Sequence, residues 1–187
     1  MIIQFCGLSG SGKTTLARQV QDLLKAHHIG MTVIDGDEYR KTLCAGLGLS
    51  KADRNTNIRL LAAEAARLIS STHPISLIAA INPYEDLRRE IVGNYPQVKT
   101  VFIDCSLEVL MNRDTKGLYR KAMLPDDHPD KIANLTGIND PFERPVDPDL
   151  IIHTDKQSVE DASKELMEFI LSHLADWQES KLRFSQD

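Results

Sequence analysis

Residues 7–14 read Gly-Leu-Ser-Gly-Ser-Gly-Lys-Thr, and they follow directly on the apolar run of residues 1–6. This stretch matches the phosphate-binding pattern GxxxxGK(S/T), and it stands where a first strand would turn into a first helix. Glycine has no Cβ, so the backbone N–H groups of such a loop can approach and surround phosphate oxygens. The stretch therefore predicts an α/β chain that handles a nucleoside triphosphate.

The two residues that end the pattern carry most of the expected chemistry. Lys13 is predicted to reach the β- and γ-phosphates, and we expect it to be exposed in the absence of a ligand. The Thr14 hydroxyl is predicted to ligate Mg²⁺, and the first turn of the following helix adds the positive end of its dipole. The predicted nucleotide-binding residues of this loop are Gly7, Leu8, Ser9, Gly10, Ser11, Gly12, Lys13, Thr14 and Thr15.

Composition narrows the class of protein. The 187 residues suit a single domain with a sizeable core, and 42% hydrophobic with 26% charged residues is ordinary for a soluble globular protein. The formal net charge of −5 provides no basic field, so we predict no nucleic-acid partner. An anionic ligand must then be held by local cations and a metal ion.

Cysteine usage and hydropathy bear on the compartment. Cys6, Cys44 and Cys105 are scattered and lack metal-ligand spacing, which is typical of a reducing compartment. No signal peptide precedes the first strand, and no apolar run approaches the ~18 residues of a membrane span. These features predict a cytoplasmic protein without a membrane partner.

Short apolar runs alternate with helical patterns along the chain. After the first run, strands are predicted at 32–35, 75–81, 98–104 and 150–153. The helical patterns occupy 13–28, 51–71, 84–95, 107–113 and 159–174. Such alternation predicts a parallel sheet with helices on both faces, and it places ligands at the carboxyl ends of the strands.

The segment 114–149 differs from the rest of the chain. It holds five of the eight prolines and shows no long periodicity. A loop of this length inside a compact domain is usually functional, so we predict a lid, with a disordered surface insertion as the alternative. The polar tail 176–187 is predicted to fray.

A second polar motif follows the second predicted strand, where the sequence reads Asp35-Gly36-Asp37. Asp37 at this edge of the sheet is predicted to hold Mg²⁺ or to orient and accept the proton of an attacking hydroxyl. A simple turn is the alternative, because Asp and Gly favour turns. Arg40 favours the functional interpretation, since a guanidinium beside a carboxylate suits an anionic substrate.

The helix predicted at 51–71 begins with a polar inward face. Ser50 and Asp53 form a capping pattern at its start. Its apolar stripe consists of Ile58, Leu61, Ala65 and Leu68. Traced back by helical spacing, that stripe reaches Asn57 and Arg54, which need polar partners if they are buried. An anionic nucleotide would supply them, whereas pairing of Arg54 with Asp53 or with solvent is the alternative.

Two basic residues stand at the start of the predicted lid. Arg113 and Lys116 are placed to close over transferring phosphates and to offset the developing charge. Arg120 and Lys121 are interpreted as solvated surface charges.

Together these segments resemble one family, adenylyl-sulfate kinase. The resemblance covers about residues 1–155. Its motifs are the phosphate loop at 7–15, DGDxxR at 35–40, DRxxNIR at 53–59, INPY at 81–84 (the family has ISPY), RDxKGLYRKA at 113–122, TGI at 136–138 and PFExP at 141–145. The loop alone indicates a P-loop enzyme, and the later motifs make the resemblance specific.

The resemblance implies a P-loop NTPase-type three-layer αβα sandwich with a five-stranded parallel sheet, usually in a homodimer. It implies transfer of the γ-phosphoryl group of ATP, with Mg²⁺, to the ribose 3′-hydroxyl of adenylyl sulfate in sulfate assimilation. Arg113 would lie on the ATP side, and Lys13, Asp37 and Lys116 would be catalytic. The substrate nucleotide would be held by Asp37, Arg40, Leu49, Arg54, Asn57, Ile81, Asn82, Lys116, Asn134 and Leu135.

The sequence departs from the family pattern at the acceptor. Leu49 and Leu135 replace two phenylalanines that sandwich the substrate adenine, which removes stacking worth ~1–3 kcal/mol per ring. Asn82 replaces a serine that is phosphorylated in some members, which leaves direct transfer. The segment between Lys116 and Leu135 is longer than usual, and the chain begins at its first strand without the usual N-terminal extension, which bears on the dimer.

Two alternatives to adenylyl sulfate phosphorylation remain open from the sequence. A kinase of the same build acting on another nucleotide-like or small-molecule hydroxyl would explain the changed base clamp. A nucleotide-binding module without turnover is the other alternative, and the presence of Lys13, Thr14 and Asp37 argues against it.

Overall fold

The computed structural model describes residues 1–95 and 97–184, with side chains described as far as residue 174. Within these residues, five strands form one parallel sheet in the order β2-β3-β1-β4-β5. The strands are β1 (Ile2–Cys6), β2 (Met31–Asp35), β3 (Ile75–Ala79), β4 (Val98–Asp104) and β5 (Leu150–His153). The predicted parallel α/β architecture is therefore confirmed.

Seven helices connect and cover these strands in the described part of the chain. They are α1 (Lys13–Ala26), α2 (Gly36–Tyr39), α3 (Lys51–Leu68), α4 (Glu85–Asn94), α5 (Leu107–Arg113), α6 (Leu118–Ala122) and α7 (Val159–Phe184). Parallel strands need crossover connections, and here most of these contain helices that pack on the faces of the sheet.

The central strand β1 shows how both faces are filled. All of its residues are buried, and its side chains alternate between the two layers. Ile3 and Phe5 belong to the core cluster formed with α1 and α7, whereas Ile2 belongs to the cluster formed with α3 and α4. This burial on both faces explains why β1 reads as a continuous apolar run rather than as an alternating one.

Most predicted element bounds agree with the structure, and the differences have local causes. Strand β3 ends at Ala79, before the predicted residue 81, because its pairing with β2 stops at Asp35, where the chain turns into α2. Helices α2 and α6 were not predicted, since four and five residues are too few to show a helical period.

The end of the chain corrects one prediction. Helix α7 continues to Phe184, beyond the predicted end at 174, so the tail predicted to fray from 176 is helical over that range. Polar residues such as Gln, Glu, Lys and Arg are good helix formers, so polarity alone does not end a helix. Residues 185–187 of that tail lie outside the described residues.

Candidate active site

The phosphate loop lies between β1 and α1, at the carboxyl edge of the sheet. Gly12 is the N-cap of α1 with a φ of 95°, a conformation that favours glycine. A Cβ on Gly7 would lie 2.5 Å from the carbonyl oxygen of Ile103, so a side chain there would clash with β4. These two glycines let the loop turn tightly over the sheet.

Lys13 is buried, contrary to the expectation that it is exposed. Only 8% of the residue is accessible, and its Nζ donates to the carbonyl oxygens of Gly7 (3.0 Å) and Leu8 (2.7 Å). The ammonium group curls back over its own loop because those carbonyls replace the water it loses. Burial, reinforced by the charge of Lys116, lowers the pKa of Lys13 to about 8.

Thr14 contacts Asp35, the first carboxylate of the Asp-Gly-Asp motif. Its hydroxyl donates to Asp35 Oδ2 at 2.7 Å, while Asp35 Oδ1 accepts from the backbone N–H of Asp37 at 2.9 Å. The sequence prediction had paired Thr14 with Asp37 as metal ligands and had given Asp35 no role. The position of Asp35 in the same motif is the signal by which it could have been found.

The oxygen groups at this point fit a magnesium ion. A hydroxyl and two carboxylates, from Thr14, Asp35 and Asp37, lie around or beside the small cavity next to the phosphate loop. Mg²⁺ prefers oxygen ligands and typically binds through one or two protein groups together with substrate phosphates.

Asp37 is paired with a residue of the predicted lid. Lys116 Nζ donates to Asp37 Oδ2 at 2.6 Å, and both side chains remain more than half exposed. The hydrogen bond from Lys116 holds the pKa of the Asp37 carboxyl below its usual range, which keeps it ionised. Two residues predicted as catalytic are thus in direct contact, although the sequence separates them widely.

Two cavities meet at this ion pair. The smaller, of about 210 Å³, lies beside the phosphate loop, and we call it the phosphate cavity. It is lined by Ser9, Gly10, Gly12, Lys13, Thr14, Thr15, Asp35, Asp37, Ala79, Ala80, Ile81, Thr115 and Lys116. Gly7, Leu8 and Ser11 of the predicted set are not among its lining residues, and Ser11 is fully buried beneath the loop.

The larger cavity, of about 430 Å³, is called the acceptor cavity below. Every residue predicted to hold the substrate nucleotide lines it, together with Ser9, Gly36, Ile58, Ala80, Pro83, Leu118, Ile132 and Thr136. Asp37 and Lys116 line both cavities, so a phosphate chain in one can meet a hydroxyl group in the other at this pair.

The polar start of α3 faces inward, as predicted. Arg54 and Asn57 are both buried. Arg54 donates to the carbonyl oxygens of Leu49 (2.9 Å) and Asn134 (2.8 Å), and it forms an ion pair with Asp140 at 3.1 Å. The alternatives of pairing with Asp53 or turning to solvent are therefore wrong for Arg54. Its partners on the predicted lid are distant in sequence.

Three buried oxygen atoms among the lining residues lack a hydrogen-bond partner within the described part of the chain. They are Asn57 Oδ1, Asn82 Oδ1 and Thr136 Oγ1. An unpaired buried polar atom costs about 1–3 kcal/mol, so such groups are usually satisfied by a ligand or by water. Because the residues that carry these atoms line the acceptor cavity, its wall contains polar groups that the described protein does not itself satisfy.

The two leucines of the changed base clamp line the same cavity in different environments. Leu49 is 44% exposed, whereas Leu135 is 6% exposed and packs in the cluster of Cys105, Leu110 and Tyr119. A phenylalanine fits more easily at 49 than at 135, because enlarging a packed residue strains its neighbours.

Arg113 is linked to the phosphate loop through Thr154. Its Nη2 donates to the carbonyl oxygen of Thr154 at 2.9 Å, and the Thr154 hydroxyl donates to the carbonyl oxygen of Ser11 at 2.9 Å. Arg113 is not among the described residues that line either cavity, so its predicted contact with the nucleotide stays a prediction.

Tyr119 also supports the phosphate loop, although the sequence did not single it out. Its hydroxyl donates to the carbonyl oxygen of Ser9 at 2.7 Å, and burial raises its pKa to about 12. Helix α6, which carries Tyr119, thereby connects the start of the predicted lid to the loop.

Within the part of the chain that the structure describes, no helix combines the length and the apolar character needed to cross a membrane.

Comparison with known proteins identifies close relatives. The family model for adenylylsulphate kinase matches residues 1–153. The adenylyl-sulfate kinase of Deinococcus deserti is 42% identical over 170 residues, which cover 90% of each chain. That of Chloroflexus aurantiacus is 41% identical over 167 residues, covering 89% of this chain and 87% of the relative. The solved APS kinase of Mycobacterium tuberculosis with AMPPNP and APS superposes with a TM-score of 0.82 at 35% identity, covering 90% of this chain and 96% of that one.

Proposed function

Because this chain belongs to the adenylyl-sulfate kinase family, we infer that it is an ATP-dependent kinase of sulfate assimilation that phosphorylates adenylyl sulfate. The γ-phosphoryl group of ATP passes to the 3′-hydroxyl, giving 3′-phosphoadenylyl sulfate and ADP. At the level of individual residues, the Asp37–Lys116 pair supports this inference most, because it lines both the phosphate cavity and the acceptor cavity.

The phosphate loop holds the triphosphate. Backbone N–H groups of the loop and the start of α1 bind its oxygens, and Lys13 exchanges the carbonyls of Gly7 and Leu8 for phosphate oxygens. Thr14, Asp35 and Asp37 are the residues that would hold Mg²⁺, which neutralises phosphate charge when bound. Arg113 would contact the ATP side from outside the loop.

At the acceptor, Asp37 orients the attacking hydroxyl. In the free protein Lys116 lowers the pKa of Asp37, so its carboxylate is ionised and accepts a hydrogen bond from the hydroxyl group, whose proton it takes as transfer proceeds. Lys116 separates from Asp37 and stabilises the charge on the transferring group. Asn82 stands where the family has the serine that some members phosphorylate, so we propose direct in-line transfer.

The acceptor nucleotide is held by the remaining lining residues. We propose that Arg40, Arg54 and Asn57 bind its charged and polar groups, that Ile81, Asn82 and Asn134 line its pocket, and that Leu49 and Leu135 contact the base. Arg40 also donates to the carbonyl oxygens of Leu47 and Gly48, which connects it to the loop that carries Leu49. A homodimer and a cytoplasmic location stay predictions.

The changed base clamp leaves a second candidate, a kinase of the same build with a different acceptor. A coupled assay of ADP release over adenylyl sulfate and related nucleotides separates the two. We expect adenylyl sulfate to support the highest kcat/KM. Higher turnover with another hydroxyl acceptor would favour the second candidate, and ATP binding without transfer to any acceptor would contradict both.

Replacing Leu49 with phenylalanine is expected to lower the KM for adenylyl sulfate by about fivefold or more, because one ring restores stacking worth ~1 kcal/mol or more. The site tolerates the larger ring, since Leu49 is 44% exposed. Steady-state kinetics measure the change, and exposed Leu43 replaced by phenylalanine is the matched control. An unchanged or raised KM in Leu49→Phe would argue against adenylyl sulfate as the natural acceptor.

Binding of ATP is expected to weaken as the pH rises above about 8. The free protein holds Lys13 with a pKa lowered to about 8, and phosphate oxygens favour the ammonium form and raise that value. The bound state therefore holds more protons than the free state near this pH, so binding takes up protons. Calorimetry in buffers of different ionisation enthalpy measures the uptake, and Lys13→Met is the control. Equal affinity at pH values well below and well above 8 would contradict the assignment.

A further inference from the structure

Glu143, near the C-terminal end of the predicted lid, binds the segment that follows β3 beside the acceptor cavity. The backbone N–H of Glu143 donates to the carbonyl oxygen of Pro83 at 2.9 Å, and Glu143 Oε2 accepts from the backbone N–H of Glu85 at 2.7 Å. Pro83 lines the acceptor cavity, and Glu85 is the first residue of α4. One lid residue thus makes both backbone and side-chain contact with the segment that follows β3.

The carboxylate of Glu143 replaces a missing helix cap. Tyr84, the N-cap residue of α4, provides no side-chain hydrogen bond to the first turn in the described structure. The first N–H groups of a helix have no partner within the helix, and a carboxylate there is favoured by the helix dipole as well. Helix α4 therefore takes the partner of its first N–H group from the predicted lid, while Asp86 of its own first turn accepts from the backbone N–H of Leu87 at 2.8 Å.

Arg88 extends this contact to the wall of the acceptor cavity. It is 2% exposed, and its guanidinium donates to the carbonyl oxygens of Asn82 and Glu143, each at 2.7 Å. It also forms an ion pair with Glu85 at 2.9 Å. Asn82 has a φ of 45°, which is uncommon for a residue other than glycine, so its conformation depends on such support.

The same lid segment contributes further residues to the cavity. Asn134, Leu135 and Thr136, which precede Glu143 by seven to nine residues, line the acceptor cavity together with Asn82 and Pro83. Holding Glu143 on α4 consequently limits how far these two sets of lining residues can separate. Among the described residues, Asn82, Pro83, Glu143 and the segment 134–136 do not line the phosphate cavity, and of the segment 81–83 only Ile81 does.

We propose that Glu143 is a positioning residue for the acceptor nucleotide, and that its cap on α4 holds the lid segment 134–136 and the segment 81–83 at the spacing that the nucleotide requires. The proposal deepens the function proposed above and rests on it, since affinity for adenylyl sulfate is the quantity that changes. Several contacts join the lid to this region, and the side-chain hydrogen bond of Glu143 is the one through which we link acceptor binding to the position of the lid.

The test compares Glu143→Ala and Glu143→Gln with Arg144→Ala as the matched control. Arg144, the next residue, binds Asp104 of β4 rather than α4. We expect the KM for adenylyl sulfate to rise about tenfold in Glu143→Ala, which is the change obtained if the stabilisation that a helix cap provides is expressed fully in acceptor binding. Glu143→Gln keeps an oxygen acceptor and is expected to give a smaller rise. The kcat and the KM for ATP should stay within about twofold in both variants.

Limited trypsin digestion provides a second measurement that does not depend on turnover. ADP with adenylyl sulfate is expected to slow cleavage at the lid residues Lys116, Arg120, Lys121 and Lys131 in the unmodified protein, and to do so less in Glu143→Ala. Thermal unfolding establishes whether each variant is folded. If Glu143→Ala does not fold, the test is made with Glu143→Gln.

The outcomes separate this proposal from the proposed function. If the unmodified protein releases no ADP with adenylyl sulfate, the proposed function fails and the positioning role falls with it. If the unmodified protein is active and both Glu143 variants keep its KM for adenylyl sulfate, only the positioning role is overturned. If the Glu143 variants lower kcat and raise the KM for both substrates to a similar extent, Glu143 is merely structural and the proposal is overturned. An equal rise of the KM for adenylyl sulfate in Arg144→Ala would overturn it as well.

Discussion

Replacing Lys13 with methionine is expected to lower kcat/KM for ATP by about a thousandfold or more, the scale on which loss of a charge at a transferring phosphate acts. Methionine keeps the length and the apolar character of the side chain but lacks the ammonium group. Lys13 lines the phosphate cavity, and we propose that its ammonium group stabilises charge on the transferring phosphoryl group. The coupled ADP-release assay measures the loss.

The structure also predicts what this substitution does to folding. The carbonyls of Gly7 and Leu8 lose their donor, while a charge whose burial is unfavourable is removed as well. These effects oppose each other, so the change in the free energy of unfolding should stay below about 2 kcal/mol. Lys25→Met, an exposed position on the same helix, is the control. Activity within about tenfold of normal in a folded Lys13→Met protein would exclude the proposed role.

Asp37→Asn is expected to lower kcat by about a hundredfold or more while the Kd for ATP changes by less than about threefold. The amide keeps the shape of the side chain, but it loses the charge that orients the acceptor hydroxyl. It also gives up the ion pair with Lys116, which lowers the pKa of Asp37 in the free protein. Single-turnover kinetics with both substrates measure the step directly.

Glu38→Gln is the matched control for Asp37→Asn. Glu38 is the next residue of α2, and its exposed carboxylate pairs with Arg18 rather than with the site. Near-normal kcat in Asp37→Asn would remove Asp37 from the chemistry. A loss confined to ATP affinity would instead assign it to holding Mg²⁺ alone.

Much of the fold follows from local patterns in the sequence. The strand bounds are nearly correct because fully buried strands read as short apolar runs with turn residues between them. The burial of Arg54 and Asn57 follows from tracing the apolar stripe of α3 by helical spacing. The motifs common to the adenylyl-sulfate kinase family indicated which residues share the acceptor cavity.

Other features could not be predicted from such patterns. Lys13 was expected in solvent because lysine usually is, but the loop offers it two carbonyl acceptors at the right distance. The sequence analysis assigns no role to Asp35, because the motif does not show which of its two carboxylates faces Thr14. The turn from β2 into α2 decides that it is Asp35. The end of α7 was misplaced because its later residues are polar yet form helix readily.

The sequence by itself determined the order of strands and helices along the chain, the phosphate loop and the chemical character of the residues at the strand ends. These features depend on the spacing between near neighbours. The tertiary structure decided which distant groups meet: Lys116 with Asp37, Arg54 with Asp140, and Glu143 with the start of α4. Each of these contacts joins the predicted lid segment to the start of helix α2, α3 or α4. Which residues meet depends on how the whole chain packs and on the need to satisfy buried polar groups. Neither can be predicted from a local sequence pattern.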